Sequence, residues 1–356
     1  MTATVMPERP AARTGRDDNS IVRETHALVK DLTEAKPAIY WTDMLLSAGL
    51  GYGALFVAVR TSDPLTLAVA WTMSVLALYR AALFIHELTH IRGGAIPGFR
   101  LGWDLIVGVP LLLPSLMYDG VHQLHHAKTR YGTIEDPEYI PLAHRARWMI
   151  AVFVLEAALL PIAMWFRFAI GFPLSYLSPK LRDLLVARAS ALAINPAFRR
   201  RPPREDERRW WLFEEVACCV WAWTFAVLAF TGVISLHAVI VWGTIQVAIA
   251  IVNQIRTLGA HHWENEGEEM TIEEQLLDSV NVPGWFTLAP LWAPVGLRYH
   301  ALHHLMPAVP YHNLAKAHRR LLAALPSQAS YHETNFPGLP TVVKRLWDFP
   351  RPWERN

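Results

Sequence analysis

Sixteen histidines stand in this chain of 356 residues, and their spacing carries more than their number. His86 and His90 are four apart in HELTH. His122, His125 and His126 form HQLHH, and His300, His303 and His304 form HALHH. His261 and His262 are adjacent in LGAHHW. Residues three or four apart share one helix face, so each box offers two or three imidazoles in one direction. Imidazole nitrogen binds iron and zinc well. A single His-x-x-His arises by chance or caps a helix end, but eight boxed imidazoles do not pack as plain core. Each buried ring nitrogen needs a hydrogen-bond partner or a metal. The chemistry expected is that of a metal centre, with no catalytic side chain beyond it.

HELTH also fits the His-Glu-x-x-His pattern of zinc proteases, with Glu87 as the general base. That reading needs one further ligand and leaves six or seven histidines without a task, so it ranks lower. In the metal-cluster reading Glu87 points away from the His86/His90 face, as a partner to the ligand shell or a solvated helix end.

The elements that would position these boxes are membrane helices. Hydrophobic residues make up 53% of the chain and charged ones 18%, which favours a membrane protein. A net charge of +2 gives no reason to expect nucleic acid. Cys218 and Cys219 are neighbours in an apolar run, poorly placed to bridge and best read as small apolar residues. Four stretches can span a bilayer: about Met44–Val59, Leu65–Phe84, Val216–Thr231 and Val233–Val252. The Thr61–Pro64 turn makes the first two a hairpin, and the last two form a second. Residues 105–117, broken by Pro110 and Pro114, suit a re-entrant or interfacial segment. Residues 148–176 are long enough to cross, but Glu156, Arg167, two prolines and basic flanks on both sides place them at the surface.

Two hairpins put the N-terminus, residues 86–212 and residues 253–356 on one face. The basic run from Arg199 to Arg209 marks that face as cytoplasmic. All four histidine groups fall there. The expected fold is all-α: an integral membrane protein with four transmembrane helices in two hairpins, interfacial helices and a cytoplasmic helical cap. Residues 1–36 read as a disordered or surface segment, 37–325 as the membrane domain with its cap, and 326–356 as a cytoplasmic tail.

HELTH, then HQLHH about thirty residues on, then an Ala-His pair and HALHH after a long gap, resembles the membrane fatty acid desaturase family. That superfamily also holds related hydroxylases and carotenoid-modifying enzymes. Tyr131-Gly132-Thr133, Asp136-Pro137-Glu138 and the LHHLMPAVPYHNL segment carry the resemblance further, over about residues 40–325. It implies two non-haem irons held by His86, His90, His122, His125, His126, His300, His303 and His304. Ala260-His261 matches the ninth ligand, which leaves His262 spare. Where acyl desaturases carry an Asn four residues before that histidine, this chain has Thr257, with Asn253 further back. His312 is read as structural or as a partner to the ligands. The acidic residues from Glu264 to Glu274, with Asp278, are read as a solvated cap loop.

The resemblance further implies an O2-dependent oxidoreductase that desaturates the acyl chain of a fatty acid or lipid. A hydroxylase or ketolase acting on a lipid or carotenoid is the second reading. Two electrons must come from outside, since no cysteine cluster, haem module or Gly-rich nucleotide loop is present. A ferredoxin, rubredoxin or cytochrome b5 type of donor is expected, with the Arg199–Arg209 segment as a docking candidate or simply a topology signal. Gly49, Gly51 and Gly53 leave room either for the lipid or for close helix packing.

Overall fold

The computed structural model describes residues 20–91, 93–284 and 288–354, and these fold into helices without a strand. The first helix, α1 (Ser20–Val29), lies within the segment expected to be disordered or superficial. Residues 1–19 of that segment lie outside the described residues. Val29 and Leu32 are buried, Arg320 pairs with Asp31, and Asn313 donates to the Leu32 carbonyl. This part of the segment is therefore built into the fold. Its apolar residues Ile21, Val22, Leu28 and Val29 sit at helical spacing within a polar run.

α2 (Pro37–Arg60) and α3 (Pro64–Ala82) form the first hairpin. The Asp63 carboxylate caps α3 by accepting from Thr66 N at 2.8 Å, and Pro64 takes the first helical position. After a break at Leu83 the helix resumes as α4 (Phe84–His90). The 27 residues from Pro64 to His90 reach about 40 Å at 1.5 Å per residue. An apolar bilayer core is about 30 Å thick, so HELTH projects past it.

α5 (Phe99–Trp103) leads into a π-turn, Asp104–Gly108. The chain then doubles back through Pro110 and Pro114, and the Ser115 amide and hydroxyl both donate to the Asp104 carboxylate. The Ser115 hydroxyl oxygen also lies 2.8 Å from a Glu214 carboxylate oxygen. Residues 105–117 thus return to their own starting level. The second histidine box follows as α6 (His122–His125).

α7 (Trp148–Leu155), α8 (Leu160–Phe166) and α9 (Phe172–Ser175) form one run, interrupted by a 3₁₀ turn at Glu156–Leu159 and a π-turn at Arg167–Gly171. Pro161 and Pro173 lie just after the interruptions, where their missing N–H groups break the helical ladder. The run Trp148–Ser175 is one of five long and apolar enough to cross a membrane; the others are Pro37–Arg60, Pro64–His90, Arg208–Phe230 and Leu236–Leu258. The sequence led us to expect four. α10 (Pro179–Ala189) turns the chain back, so that Ser190 reaches Arg167 at 2.8 Å. Arg167 and Arg182 both bind Glu215 of α11 (Arg208–Phe230).

The basic segment before α11 is stitched into the protein. Arg200 is buried, donates to the carbonyls of Leu116, Ser190 and Asp119, and lies over the Trp211 ring. Arg201 and Arg204 pair with Glu207. Only part of the expected docking charge is therefore free. α12 (Leu236–Leu258) completes the second hairpin, capped by Ser235. Leu46, Phe56, Val220 and Leu236 stand exposed on these long helices, as apolar residues facing lipid do.

Beyond α12 come α13 (Ile272–Asp278), α14 (Ala289–Trp292), α15 (His300–Leu305), α16 (Tyr311–Ala324) and α17 (Leu339–Asp348). α13 carries a capping box between Thr271 and Glu274. The C-terminal tail packs on the cap: Tyr331, Thr334, Val342 and Leu346 are buried, and Asn281 N donates to Thr334 O.

Candidate metal centre

The ends of α3–α4 and α12, with α6 and α15, bring nine histidines into two sets. One holds His86, His90, His122, His126 and His303; the other holds His125, His261, His300 and His304. Within each set one nitrogen per ring lies within 4.8 Å of the others. All nine residues singled out in the sequence are present, and none is stranded. HQLHH splits between the sets, His122 and His126 to one and His125 to the other. So does HALHH, with His303 in the first and His300 and His304 in the second. The two sets are therefore neighbours on shared short helices.

Ring nitrogens face one another at separations that suit a shared ion. The Nε2 atoms of His122 and His126 are 2.9 Å apart, and His303 Nε2 stands 3.1 Å from His90 Nε2 and 3.2 Å from His126 Nε2. In the other set His300 Nε2 lies 3.0 Å from both His261 Nε2 and His304 Nε2. Metal–imidazole bonds of about 2.0–2.1 Å set neighbouring ligand nitrogens about 2.9–3.4 Å apart. Both nitrogens of His86 are buried without a hydrogen-bond partner, as is Nδ1 of His126 and of His300. Buried polar atoms left without a partner are costly. The residues present fit a metal pair, and five donors exceed the four that a structural zinc takes.

The second nitrogen of several rings is fixed by a carboxylate. His122 Nδ1 lies 2.7 Å from Glu138, and the Tyr118 hydroxyl donates to the same carboxylate at 2.7 Å. His125 Nδ1 lies 2.9 Å from Asp136, which also accepts from the amides of Gly132 and Glu138. Gly132 has φ +71°, and a Cβ there would meet the Asn265 side chain at 2.9 Å, so the Tyr-Gly-Thr turn needs its glycine. The Tyr131 hydroxyl contacts both His261 Nδ1 and Asp278 Oδ2 at 2.7 Å. Such partners orient a ring and select its tautomer.

Burial sets the protonation. Burial first, then neighbouring imidazoles, hold His122, His126, His303 and His304 well below the usual histidine range; they stay neutral and able to bind metal. His125 is the exception: burial would lower it, but Asp136 raises it. Glu138 is pushed up to about 7 by burial.

His261 is selected over His262 by backbone geometry. The segment pairs with residues 278–280: His262 N donates to Asp278 O, and Val280 N to Ala260 O. In extended backbone successive side chains point to opposite faces. His261 faces the imidazoles, while His262 packs on Phe336. Glu87 is neither a general base nor a solvated end: it is buried and accepts from the Tyr40 hydroxyl and from Tyr311 N. HELTH therefore lacks the geometry of a zinc protease. His312 accepts from Lys36 N at 3.3 Å, outside both sets. Asp278 was misjudged from sequence, being buried beneath His261; Glu264, Glu266 and Glu274 keep some exposure and pair with Arg345, His144 and the Thr271 amide. Tyr118 carried no signal in the sequence, and Tyr131 stood out only within the Tyr-Gly-Thr segment, with no role attached.

A cavity of about 470 Å³ meets the centre at His86. Its walls come from α3, α8, residues 191–194 and α12, and most are apolar. His86 alone of the nine histidines lines it, whereas His90, His126 and His304 keep partial exposure elsewhere. The glycines of α2 do not line it; Gly51 instead packs against Leu78.

Comparison with known proteins adds two matches. Residues 63–335 match the fatty acid desaturase family. The chain is also 49% identical over 325 residues to a ceramide hydroxylase of Caulobacter vibrioides (strain NA1000 / CB15N), covering 90% of this chain and 92% of that protein. No solved structure matches.

Proposed function

Because the chain belongs to the fatty acid desaturase family, we propose that it is a membrane lipid hydroxylase, acting on ceramide or a closely similar long-chain lipid. The similarity to the ceramide hydroxylase along nearly the whole of both chains carries this reading. It displaces acyl desaturation, the outcome first expected from the sequence, to second place. Thr257, where acyl desaturases carry Asn, agrees with that order, and its hydroxyl donates to Asn253 O rather than toward the centre.

In this reading the nine histidines hold two irons, five donors to one and four to the other. When bound, the irons supply activation of dioxygen and attack on an unactivated C–H bond. The chain's own residues do the rest. Asp136, Glu138 and Asp278 fix the rings of His125, His122 and His261 so that the opposite nitrogens converge. The apolar walls of the cavity hold the chain and exclude water beside His86. Electrons come from a separate donor protein.

We place four helices across the membrane and the run Trp148–Ser175 along its metal-side face. That run meets Trp263 through Phe153 at one end and Glu215 through Arg167 near the other. α10 has 11 residues and rises about 16 Å, too little to recross an apolar core. The centre and both termini then share one face, which the positive-inside rule makes cytoplasmic.

Expression in a host that makes ceramides and supplies a ferredoxin system tests the reaction, with lipid mass spectrometry as the readout. A ceramide gaining one oxygen is expected. A lipid losing two hydrogens would establish the desaturase instead, and iron analysis should give about two irons per chain.

A further inference from the structure

α12 carries a polar set that the metal centre does not use. Gln246, Asn253, Gln254 and Thr257 all line the cavity, at spacings that repeat one helix face. Arg256 lines it as well. Gln254 and Arg256 are each 8% exposed. The Gln254 amide has no hydrogen-bond partner among the described residues. Arg256 donates to Asn253 Oδ1 at 3.1 Å and neighbours the Tyr79 hydroxyl, yet its Nε is buried without a partner. No carboxylate forms an ion pair with it among the described residues. Arg256 shares the cavity wall with His86 and Glu138.

Ionisable and amide side chains inside an apolar helix are expensive, and they mark the path of a substrate when they face a cavity. Asn253, Gln254, Arg256 and Thr257 gather in the last turns of α12, toward the metal end of a mostly apolar cavity, while Gln246 stands about two turns back from Gln254. Arg256 offers only donors, while Gln254 offers a donor and an acceptor. A ligand group that answers both has a carbonyl or hydroxyl oxygen beside an N–H or O–H. An anionic head fits less well, because the Glu138 carboxylate lines the same cavity.

We propose that Gln254 and Arg256 clamp the neutral amide-and-hydroxyl head of the lipid at the metal end of the cavity. The chain then runs away from the centre along the apolar walls. Oxygen therefore enters at a carbon within a few bonds of the head rather than in mid-chain. This rests on the lipid hydroxylase reading and adds which part of the substrate the protein recognises.

The test uses full-length protein in nanodiscs, with Gln254→Leu, Arg256→Met and Arg256→Lys as variants. Binding is measured on metal-free protein by displacement of a fluorescent ceramide. The competitors are a ceramide, an alkane of matched length and phosphatidic acid. Gln254→Leu and Arg256→Met should each weaken ceramide about threefold to tenfold and leave the alkane unchanged, with partial rescue in Arg256→Lys. In turnover the hydroxyl should spread to neighbouring carbons, read by tandem mass spectrometry. An unchanged ceramide-to-alkane ratio in Gln254→Leu overturns the clamp even if Arg256→Met fails to fold. Preference of the wild type for phosphatidic acid overturns it in favour of an anion site. Wild type that discriminates as expected but forms no hydroxylated lipid supports the clamp and sinks the reaction assignment instead.

Discussion

Asp136 holds His125 at 2.9 Å across eleven residues of sequence, and both side chains are buried. The carboxylate also accepts from two backbone amides. It is therefore a fixed post against which one ring of the four-histidine set is aimed. Asp136→Asn keeps the shape and removes the charge. It should lower metal affinity about 10- to 100-fold, measured by competition with a chelator.

His261 and His262 make a paired test of the extended-backbone argument. His261→Ala removes a member of the four-histidine set, whereas His262→Ala removes a ring packed on Phe336. Iron per chain should fall in the first and hold in the second. Equal loss in both would refute the assignment.

The glycines of α2 should part company. A Cβ at Gly49 meets nothing within 4 Å, while one at Gly51 meets Leu78 Cγ at 2.6 Å. Gly49→Ala should stabilise by about 0.5–1 kcal/mol through helix propensity. Gly51→Ala should destabilise, because Leu78 must move. Thermal unfolding in one detergent reads both signs.

His318 gives a pH dependence away from the metals. It is buried against Tyr299 and lies 2.7 Å from the Tyr331 hydroxyl. Burial, then Arg298 and Arg319, lowers it to about 4. The unfolded chain, near the ordinary value of about 6.5, then binds the proton first as pH falls. The stabilisation is complete above that value and is lost on acidification toward about 4. His318→Gln should flatten that part of the stability–pH curve; an unchanged slope would count against it.

The candidate ligands were legible because metal chemistry imposes a spacing, and helices turn that spacing into a shared face. His86/His90 and the two HHs needed no tertiary knowledge. The choice of His261 needed the family, and only the pairing with residues 278–280 explains it. Asp278 was hidden because its partner Tyr131 lies 147 residues away, in a different loop. Four of the five long apolar helices were readable from composition as candidate spans. The run Trp148–Ser175 has the same composition, and its proposed place along the membrane face rests on its contacts with Trp263 and Glu215. α1 was concealed by the polar residues around its apolar face.

The unequal exposure of the histidines has a kinetic consequence. His86 looks into an oily chamber, while His90, His126 and His304 are open elsewhere. In the proposed reaction, a lipid arriving sideways from the bilayer and a reductant arriving from water would use separate approaches. Saturating the enzyme with one should not raise the KM for the other, and a crowded membrane will not starve the centre of electrons.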